Sequence, residues 1–284
     1  MKLALHEFRF DQKVFWRNPA SVFFTILLPI IFLLIFATIF GNDEIETLGN
    51  VSTTTYYVPA IITLAVVSAT LVSLAMNLTV ARENGLLKRG RGTPLPSWVF
   101  IAGRIGNSII VSVLMLVAIS VIGRILYDVP FPWDRLPAVA VTLLVGAAAF
   151  SCLGIALSAA IPTRDAAPAI TNVIVLPLYF LSGIFIPENE IPSGVLDVAG
   201  LFPIRHFFQA FFAAFSPNTV GSGFEWGDLA IVALWGLGGL LVAILVDGVV
   251  DALGQRRRPE VGKAAHRVGV DAATRGHLVG EPDR

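Results

Sequence analysis

Long apolar segments with few charges recur along this chain and limit the folds open to it. Six of them reach the length of about 20 residues that a helix needs to cross a bilayer. They lie at about residues 20–40, 57–80, 104–126, 136–160, 168–186 and 228–250. Backbone groups must be paired inside hydrocarbon, and the short alternating strands of a membrane barrel are missing. The sequence therefore predicts an all-α integral membrane protein with six transmembrane helices.

The composition agrees with this fold class. The chain has 284 residues, of which 55% are hydrophobic and 14% charged, an apolar excess too large for one soluble core. Its single cysteine, Cys152, lies within an apolar segment. The sequence therefore has no disulfide framework and no cysteine-based metal site.

The positions of lysine and arginine predict the orientation. Basic residues are concentrated before residue 20, between the second and third apolar segments, and after about residue 255. The other connections carry mainly aspartate and glutamate. Because cytoplasmic loops are enriched in lysine and arginine, we expect these three regions, and so both termini, to be cytoplasmic.

Residues 1–19 have the pattern of an amphipathic helix that lies on the membrane surface. At about 100° per residue, the basic side chains fall on one arc and the large apolar side chains on a neighbouring arc. The residues assigned to this interfacial helix are Phe8, Arg9, Lys13, Phe15 and Trp16. A solvated basic leader is the alternative.

The region 187–227 is too long for a plain loop and too apolar to lie in water. Four prolines divide it, and its phenylalanines recur at the spacing of one helix face. We expect short re-entrant or interfacial helices on the outer side, before the last span. The aromatic face is either an outer gate or a packing surface against neighbouring spans; its members are Phe207, Phe208, Phe211 and Phe212.

The sequence carries no recognisable catalytic motif. It has no phosphate-binding loop, no H-E-x-x-H zinc motif and no G-x-S-x-G elbow, and its four histidines are scattered. Ionisable residues deep in the apolar segments, which ion-coupled carriers use, are almost missing as well. We therefore expect no cofactor in this chain, and any active transport would need energy from a partner.

The loop 82–96 is the candidate surface for such a partner. It is basic and punctuated by glycines, and it also carries Glu83 and the Pro94-Leu95-Pro96 stop. A loop that only sets topology needs the positive charge and not these other residues. The topological role alone is the alternative.

These features together resemble a known family. They are the amphipathic N-terminal helix with Asn18-Pro19, the Arg82-Glu83-Asn84-Gly85 turn, the following Leu86-Leu87-Lys88-Arg89, and the proline-rich segment before His206. The order is similar to that of permease subunits of type-2 ATP-binding-cassette exporters, especially the daunorubicin-resistance-like drug-export branch of bacteria. The resemblance covers about residues 1–255, and 256–284 is predicted to be a disordered cytoplasmic tail.

The resemblance implies particular partners. Two six-span subunits would lie side by side, as a homodimer or with a sister permease, among membrane lipids and without nucleic acid. A separate ABC ATPase subunit would bind each from below and would hold the ATP and magnesium. The N-terminal helix would be the family's connecting helix and the outer segment its gate. The loop that couples to the ATPase would comprise Glu83, Asn84, Gly85, Leu86, Leu87, Lys88 and Arg89.

The expected function follows from this resemblance. We expect a permease of an ATP-driven exporter that works by alternating access in the bacterial cytoplasmic membrane. Apolar spans along the pathway favour a hydrophobic or amphipathic substrate, such as a drug, a lipid or a lipid-linked molecule. An ion-coupled carrier or a passive channel without an ATPase is the alternative.

Overall fold

The structure of the protein, a computed structural model, describes residues 16–17, 22–41, 44–45, 50–85 and 97–256. For residues 97–101 and 246–256 it describes the helical backbone only. The described chain is mostly α-helical, which confirms the predicted fold class. Contacts group the chain into a compact unit ending at Leu240 and a second unit from Leu241. The packing described below lies within the first unit.

The helices follow the apolar segments. A π-helical turn, Phe23–Leu27, continues as α1 (Leu28–Phe40). The second segment forms α2 (Thr53–Val67), a π-helical turn (Ser68–Val72) and α3 (Ser73–Glu83), which are continuous. The remaining helices are α4 (Ser97–Tyr127), α5 (Leu136–Ala160), α6 (Ala167–Leu181), α7 (Ser193–Ala199), α8 (Pro203–Phe215) and α9 (Trp226–Arg256). Short 3-10 turns lie at Trp133–Arg135 and Glu188–Glu190.

A small hairpin before α2 was not predicted from the sequence. Strand β1 (Glu44–Ile45) pairs antiparallel with β2 (Val51–Ser52), with Glu44 opposite Ser52. Ser52 then caps α2, because its hydroxyl oxygen accepts the N–H of Thr55 at 3.3 Å. The hairpin therefore fixes the entry of the chain into the second span.

Within the described residues, four helices are long and apolar enough to cross a membrane. They are Thr53–Glu83, Ala102–Tyr127, Trp133–Ala160 and Trp226–Leu245. The pair α7 and α8, bent by 99°, would make five if counted as one broken span. The apolar helices Thr25–Phe40 and Ala167–Leu181 are shorter. The structure thus has the helices of a multi-pass membrane protein, with four to five candidate spans.

The fifth predicted segment, 168–186, extends further than its helix does. Helix α6 ends at Leu181, and the chain turns at Gly183, which has a φ of +83°. Glycine adopts this left-handed conformation readily and commonly ends helices in this way. The apolar residues after the turn, 184–186, therefore do not continue α6.

The second span lies at the centre of the bundle. In its most apolar window, 83% of residues are buried, against 33% for Ala102–Tyr127 and 28% for Trp226–Leu245. Every residue of α2 is buried. Further along this span, Thr63, Thr70 and Thr79 can be buried because their hydroxyls donate to carbonyls one turn earlier, as Thr63 does to Pro59 at 2.9 Å.

Glycines let the helices approach closely. A Cβ added at Gly154 of α5 would lie 2.7 Å from the carbonyl oxygen of Leu71 in the π-helical turn. One added at Gly236 of α9 would lie 2.6 Å from the Cβ of Ala149. Small residues commonly serve this purpose between membrane helices. The positions of α5 against the second span and against α9 therefore depend on these glycines.

Carboxylate and guanidinium groups hold the 3-10 turn Glu188–Glu190 to α8. Arg205 donates through Nε and Nη2 to the two carboxylate oxygens of Glu188, each at 3.0 Å. Gln209, one turn further along α8, donates to Glu188 Oε1 at 3.1 Å. Such paired bonds fix orientation as well as distance, so the 3-10 turn at Glu188 is fixed on α8.

The turn between α7 and α8 is bound to α9. His206 Nδ1 lies 2.6 Å from Asp228 Oδ1, and its Nε2 lies 2.8 Å from the carbonyl oxygen of Gly200. That carbonyl can only accept, so Nε2 carries a hydrogen. The indole N–H of Trp235 donates to the Leu201 carbonyl at 3.0 Å. The sharp bend is thus fixed by side chains from two helices.

The end of α8 is closed by an arginine from the start of α5. Arg135 donates to the carbonyl oxygens of Ser216 at 2.6 Å and Ala213 at 3.4 Å, and also to that of Thr219. The last carbonyls of a helix lack partners within it. Arg135 supplies the missing hydrogen-bond donors. This role explains why a basic residue lies in a connection that is otherwise acidic.

The aromatic face of α8 packs into the core. Phe207, Phe208 and Phe211 are buried and Phe212 is half-buried. The rings of Phe208 and Phe212 both lie 5.4 Å from that of Tyr56. The structure thus shows these side chains in packing contacts with α2, and their role as an outer gate stays a prediction.

The close approach of Gly146 to Phe207 makes this contact sensitive to one methyl group. A Cβ at Gly146 would lie 1.9 Å from Cε2 of Phe207. We predict that Gly146→Ala destabilises the protein by about 1–3 kcal/mol through overpacking, measured as a lower midpoint of thermal unfolding in detergent. Adding Phe207→Leu should restore part of the loss. Gly238→Ala, where a Cβ meets nothing within 4 Å, is the control, and an equal loss there would contradict the explanation.

Candidate functional site

The second span ends where the candidate coupling loop begins. Helix α3 stops at Glu83, and Asn84 follows it with a φ of −69° and a ψ of 0°. Gly85 has a φ of +68° and donates its N–H to the carbonyl of Arg82 at 3.1 Å. A Cβ at Gly85 would meet nothing within 4 Å. The left-handed backbone, and not lack of space, therefore favours glycine at this turn.

Arg82 joins this end of α3 to the end of α5. Its guanidinium donates to the carbonyl oxygen of Ser158 at 3.0 Å, and to those of Ile161 and Pro162. The Ser158 carbonyl would normally accept from the residue four positions later, but that residue is Pro162, which has no N–H. The cation also lies at the negative end of the helix dipole. Arg82 thus closes an α5 terminus that the chain leaves open.

Glu83, the next residue, reaches the same connection. Its Oε2 lies 3.7 Å from Nε of Arg164, which is also 3.6 Å from Oδ1 of Asp165. The Glu83 side chain is 31% exposed and that of Arg164 55%. Solvent screens such a pair, so it contributes at most about 1 kcal/mol to stability. The ion pair matters because it connects the end of α3 to the connection between α5 and α6.

The connection that these residues contact, 161–166, is short and ordered by its own hydrogen bonds. The Thr163 hydroxyl oxygen accepts the N–H of Ala166 at 3.3 Å, just before α6. The Ala167 N–H donates to the Arg164 carbonyl at 3.3 Å. Movement of Arg82 and Glu83 would therefore act on α5 and α6 together.

Only part of the predicted coupling loop lies within the described residues. Glu83, Asn84 and Gly85 are described, and of the interfacial helix Trp16 is described and about half exposed. The predicted residues outside the described ranges are Leu86, Leu87, Lys88 and Arg89 in the loop, and Phe8, Arg9, Lys13 and Phe15 in the interfacial helix.

The predicted gate lies at the opposite end of the second span from the coupling loop. Tyr56, which contacts the rings of Phe208 and Phe212, is in the first turn of α2, whereas Glu83 is the last residue of α3. A continuous helix of this length extends over roughly 40 Å. The structure therefore does not bring the two predicted regions together, and the second span connects them.

The sequence did not single out Arg164, and it placed Arg82 in the basic loop 82–96 without a specific contact. The signal for Arg164 was local: an adjacent pair of opposite charges, Arg164 and Asp165, in a short connection that begins with Pro162. Nothing in the sequence pattern indicates that Arg82 contacts carbonyls 76 to 80 positions away. This contact depends on the packing of α3 against α5.

Comparison with known proteins finds a matching transporter family and related transport permeases. The family model of the ABC-2 type transporter matches residues 8–216, which include Arg82, Glu83 and helices α7 and α8. The inner membrane transport permease YadH of Escherichia coli (strain K12) is 26% identical over 227 residues, 78% of this chain and 83% of YadH.

A second relative is named for a multidrug transporter. It is the "Probable multidrug ABC transporter permease YbhR" of Escherichia coli (strain K12), 24% identical over 152 residues, which is 54% of this chain and 41% of YbhR. The family match spans well over half of the sequence. The chain belongs to the ABC-2 type transporter family.

Proposed function

We propose that this protein is the transmembrane permease subunit of an ATP-driven exporter in the bacterial cytoplasmic membrane. It moves a hydrophobic or amphipathic molecule, such as a drug, a lipid or a lipid-linked molecule, by alternating access. Membership of the ABC-2 family supports a membrane subunit of an ABC transporter. The relative YbhR is named as a probable multidrug permease, which supports multidrug transport. A separate ATPase subunit binds ATP and magnesium and supplies the energy.

The observation that carries this proposal is the pair of contacts made by Arg82 and Glu83. The loop from Asn84 onward follows these residues directly, so an ATPase bound to the loop acts on the end of α3. The contacts with Ser158 and Arg164 extend that action to α5 and α6. Work is transferred only if the ATPase contacts the loop differently in its nucleotide states.

The proposal includes six spans. At about 1.5 Å per residue, Thr25–Phe40 and Ala167–Leu181 extend for roughly 22–24 Å, which is short of the hydrocarbon thickness of about 30 Å. Short spans are accommodated by local thinning of the bilayer and by interfacial flanking residues. With the four long spans they make six, and the bent pair α7 and α8 is then re-entrant on the outer side.

A second permease subunit belongs to the same proposal. Apolar side chains are exposed on α1 and α6 of the single chain, among them Ile39, Val173 and Phe180. An exposed apolar face on a membrane helix meets either lipid or another subunit. We propose that the permease works as a dimer, with itself or with a sister permease, and that lipid covers the remaining faces.

Orientation is tested by labelling from outside the cell. In a Cys152→Ser background, single cysteines replacing Ile45, Pro132 and Glu190 should react with an impermeant maleimide. Cysteines replacing Gly90 and Glu260 should react only after permeabilisation, because the Lys/Arg-rich regions stay inside. Labelling at position 90 in intact cells would contradict the arrangement.

Dependence on a partner is tested with purified protein. The chain alone should neither bind nor hydrolyse ATP, and it should form a stable complex with the ATPase encoded beside it. Leu87→Asp should weaken that complex by placing a charge at the proposed contact. Stoichiometric ATP binding by the chain without the ATPase would contradict the assignment of ATP binding to the partner subunit.

The Glu83–Arg164 contact is tested by a double-mutant cycle. Glu83→Ala and Arg164→Ala should each lower permease-stimulated ATPase activity in nanodiscs by up to about fivefold, because a solvent-screened ion pair contributes at most about 1 kcal/mol. If the two side chains act through each other, the double variant should be no worse than either single one. Glu190→Gln, an exposed outer carboxylate, is the matched control.

Three results would count against this role of the contact. Full stimulation in both single variants would show that the ion pair transmits nothing. Losses that simply add in the double variant would show that Glu83 and Arg164 act separately. An equal loss in Glu190→Gln would show a general effect of removing a carboxylate.

A further inference from the structure

The outer end of α4 and the segment after it form a groove of about 620 Å³ that the proposed function does not use. One wall consists of residues at positions 117, 120, 121, 124 and 125 of α4. This spacing of three and four residues defines one helix face. The other wall is Pro130, Phe131 and Trp133.

Most of the groove is apolar and exposed on the surface of the chain. On the helix wall Val117 is 54% exposed and Ile125 73%, and Trp133 on the other wall is 74% exposed. The Trp133 ring lies 4.8 Å from that of Phe131 at 62°, an edge contact that fixes its position. Exposed tryptophan at the end of a span is typical of the headgroup level of a bilayer.

A cation lies at the outer end of this groove. Arg124 is exposed, and its Nη1 donates to the carbonyl oxygen of Asp128 at 3.3 Å. No carboxylate among the described residues forms an ion pair with Arg124, and this includes the nearby Asp128. A guanidinium has several N–H donors, so it can bind an anionic group while it keeps the Asp128 contact.

A buried hydroxyl marks the inner part of the same wall. Ser120 lines the groove and is 8% exposed. Its Oγ has no hydrogen-bond partner among the described residues. A buried hydroxyl without a partner is unfavourable, and a ligand with ester oxygens close to its charged group offers an acceptor there. Along α4 the groove therefore presents, in order, apolar Val117, the Ser120 hydroxyl without a hydrogen-bond partner, and the Arg124 cation.

We infer that this groove binds an anionic phospholipid of the outer leaflet, with its phosphate at Arg124 and an acyl chain along Val121 and Val117. Seven residues of helix separate Arg124 from Val117, roughly 10 Å along the axis, so head group and chain lie on one face. Phosphate pairs well with guanidinium. The leaflet rests on the orientation proposed above, whereas the binding itself does not.

The test uses the fluorescence of Trp133. The variant is full-length, keeps Trp133 and has phenylalanine at the other four tryptophans. In phosphatidylcholine vesicles, brominated phosphatidylglycerol should quench its Trp133 fluorescence more strongly than brominated phosphatidylcholine does. We expect phosphatidylglycerol to bind about fivefold more tightly than phosphatidylcholine, because one basic residue near a membrane surface contributes about 1 kcal/mol to the binding of an anionic lipid. Arg124→Gln should reduce the preference to about one, and Arg124→Lys should keep most of it.

Two controls separate the groove from the general lipid environment. Val117→Phe should fill the groove and lower the preference, whereas Leu126→Phe, exposed on α4 but outside the groove, should not. A variant that keeps only Trp226, which is exposed at the start of α9, should show no effect of Arg124→Gln. Elution of each variant at the parent position in size-exclusion chromatography confirms folding.

Three outcomes would overturn the inference. Equal quenching by both brominated lipids in the parent would show ordinary boundary lipid. No quenching by either lipid would show that protein, such as a second copy of the chain, covers the groove. A preference that survives Arg124→Gln would place the anionic site elsewhere. None of these results bears on ATPase coupling, which the Glu83 and Arg164 variants test separately.

Discussion

The carbonyl groups at helix ends are the constraint on which this structure depends. A helix in or near hydrocarbon leaves its last carbonyls without partners, and each unpaired group is costly. At α5 the problem is greater because Pro162 cannot donate to Ser158, and at α8 the last residue, Phe215, and Ser216 after it are buried. In both cases an arginine from a different helix supplies the donors, Arg82 in the first and Arg135 in the second. Closing a helix end thus also joins two helices.

The second span is bound to other elements at both of its ends. At its start the hydroxyl of Tyr56 donates to the Gly183 carbonyl at 2.5 Å, and that of Tyr57 to Phe185 at 3.3 Å. At its other end Arg82 holds α5. Between them lies the π-helical turn Ser68–Val72, where the Ser68 hydroxyl is 3.0 Å from that of Tyr179. Such turns interrupt the regular helical ladder and are frequent at functional sites.

The long spans could be predicted because apolar length is visible in the sequence, and the resemblance to the family was confirmed. What could not be predicted depends on local backbone or on distant partners. The end of α6 is set by the positive φ of Gly183, which hydropathy does not indicate. His206 had been set aside as a scattered histidine, yet it bonds to Asp228, 22 positions away. Arg82 is predicted only as part of the basic loop 82–96, because its acceptors are backbone carbonyls, which the sequence pattern does not mark.

The Glu83–Arg164 contact and the Arg205–Glu188 contact differ in strength, and the difference bears on the proposed function. Glu83 and Arg164 are partly exposed and 3.7 Å apart, a pair worth at most about 1 kcal/mol. Arg205 and Glu188 are 19% and 26% exposed and joined by two bonds of 3.0 Å, with Gln209 added. Charge-assisted bonds of this kind are substantially stronger. In the proposed function, an ATPase that acts on the Glu83 end of the second span therefore changes the weak contact first, while the bonds of Glu188 to Arg205 and Gln209 are kept.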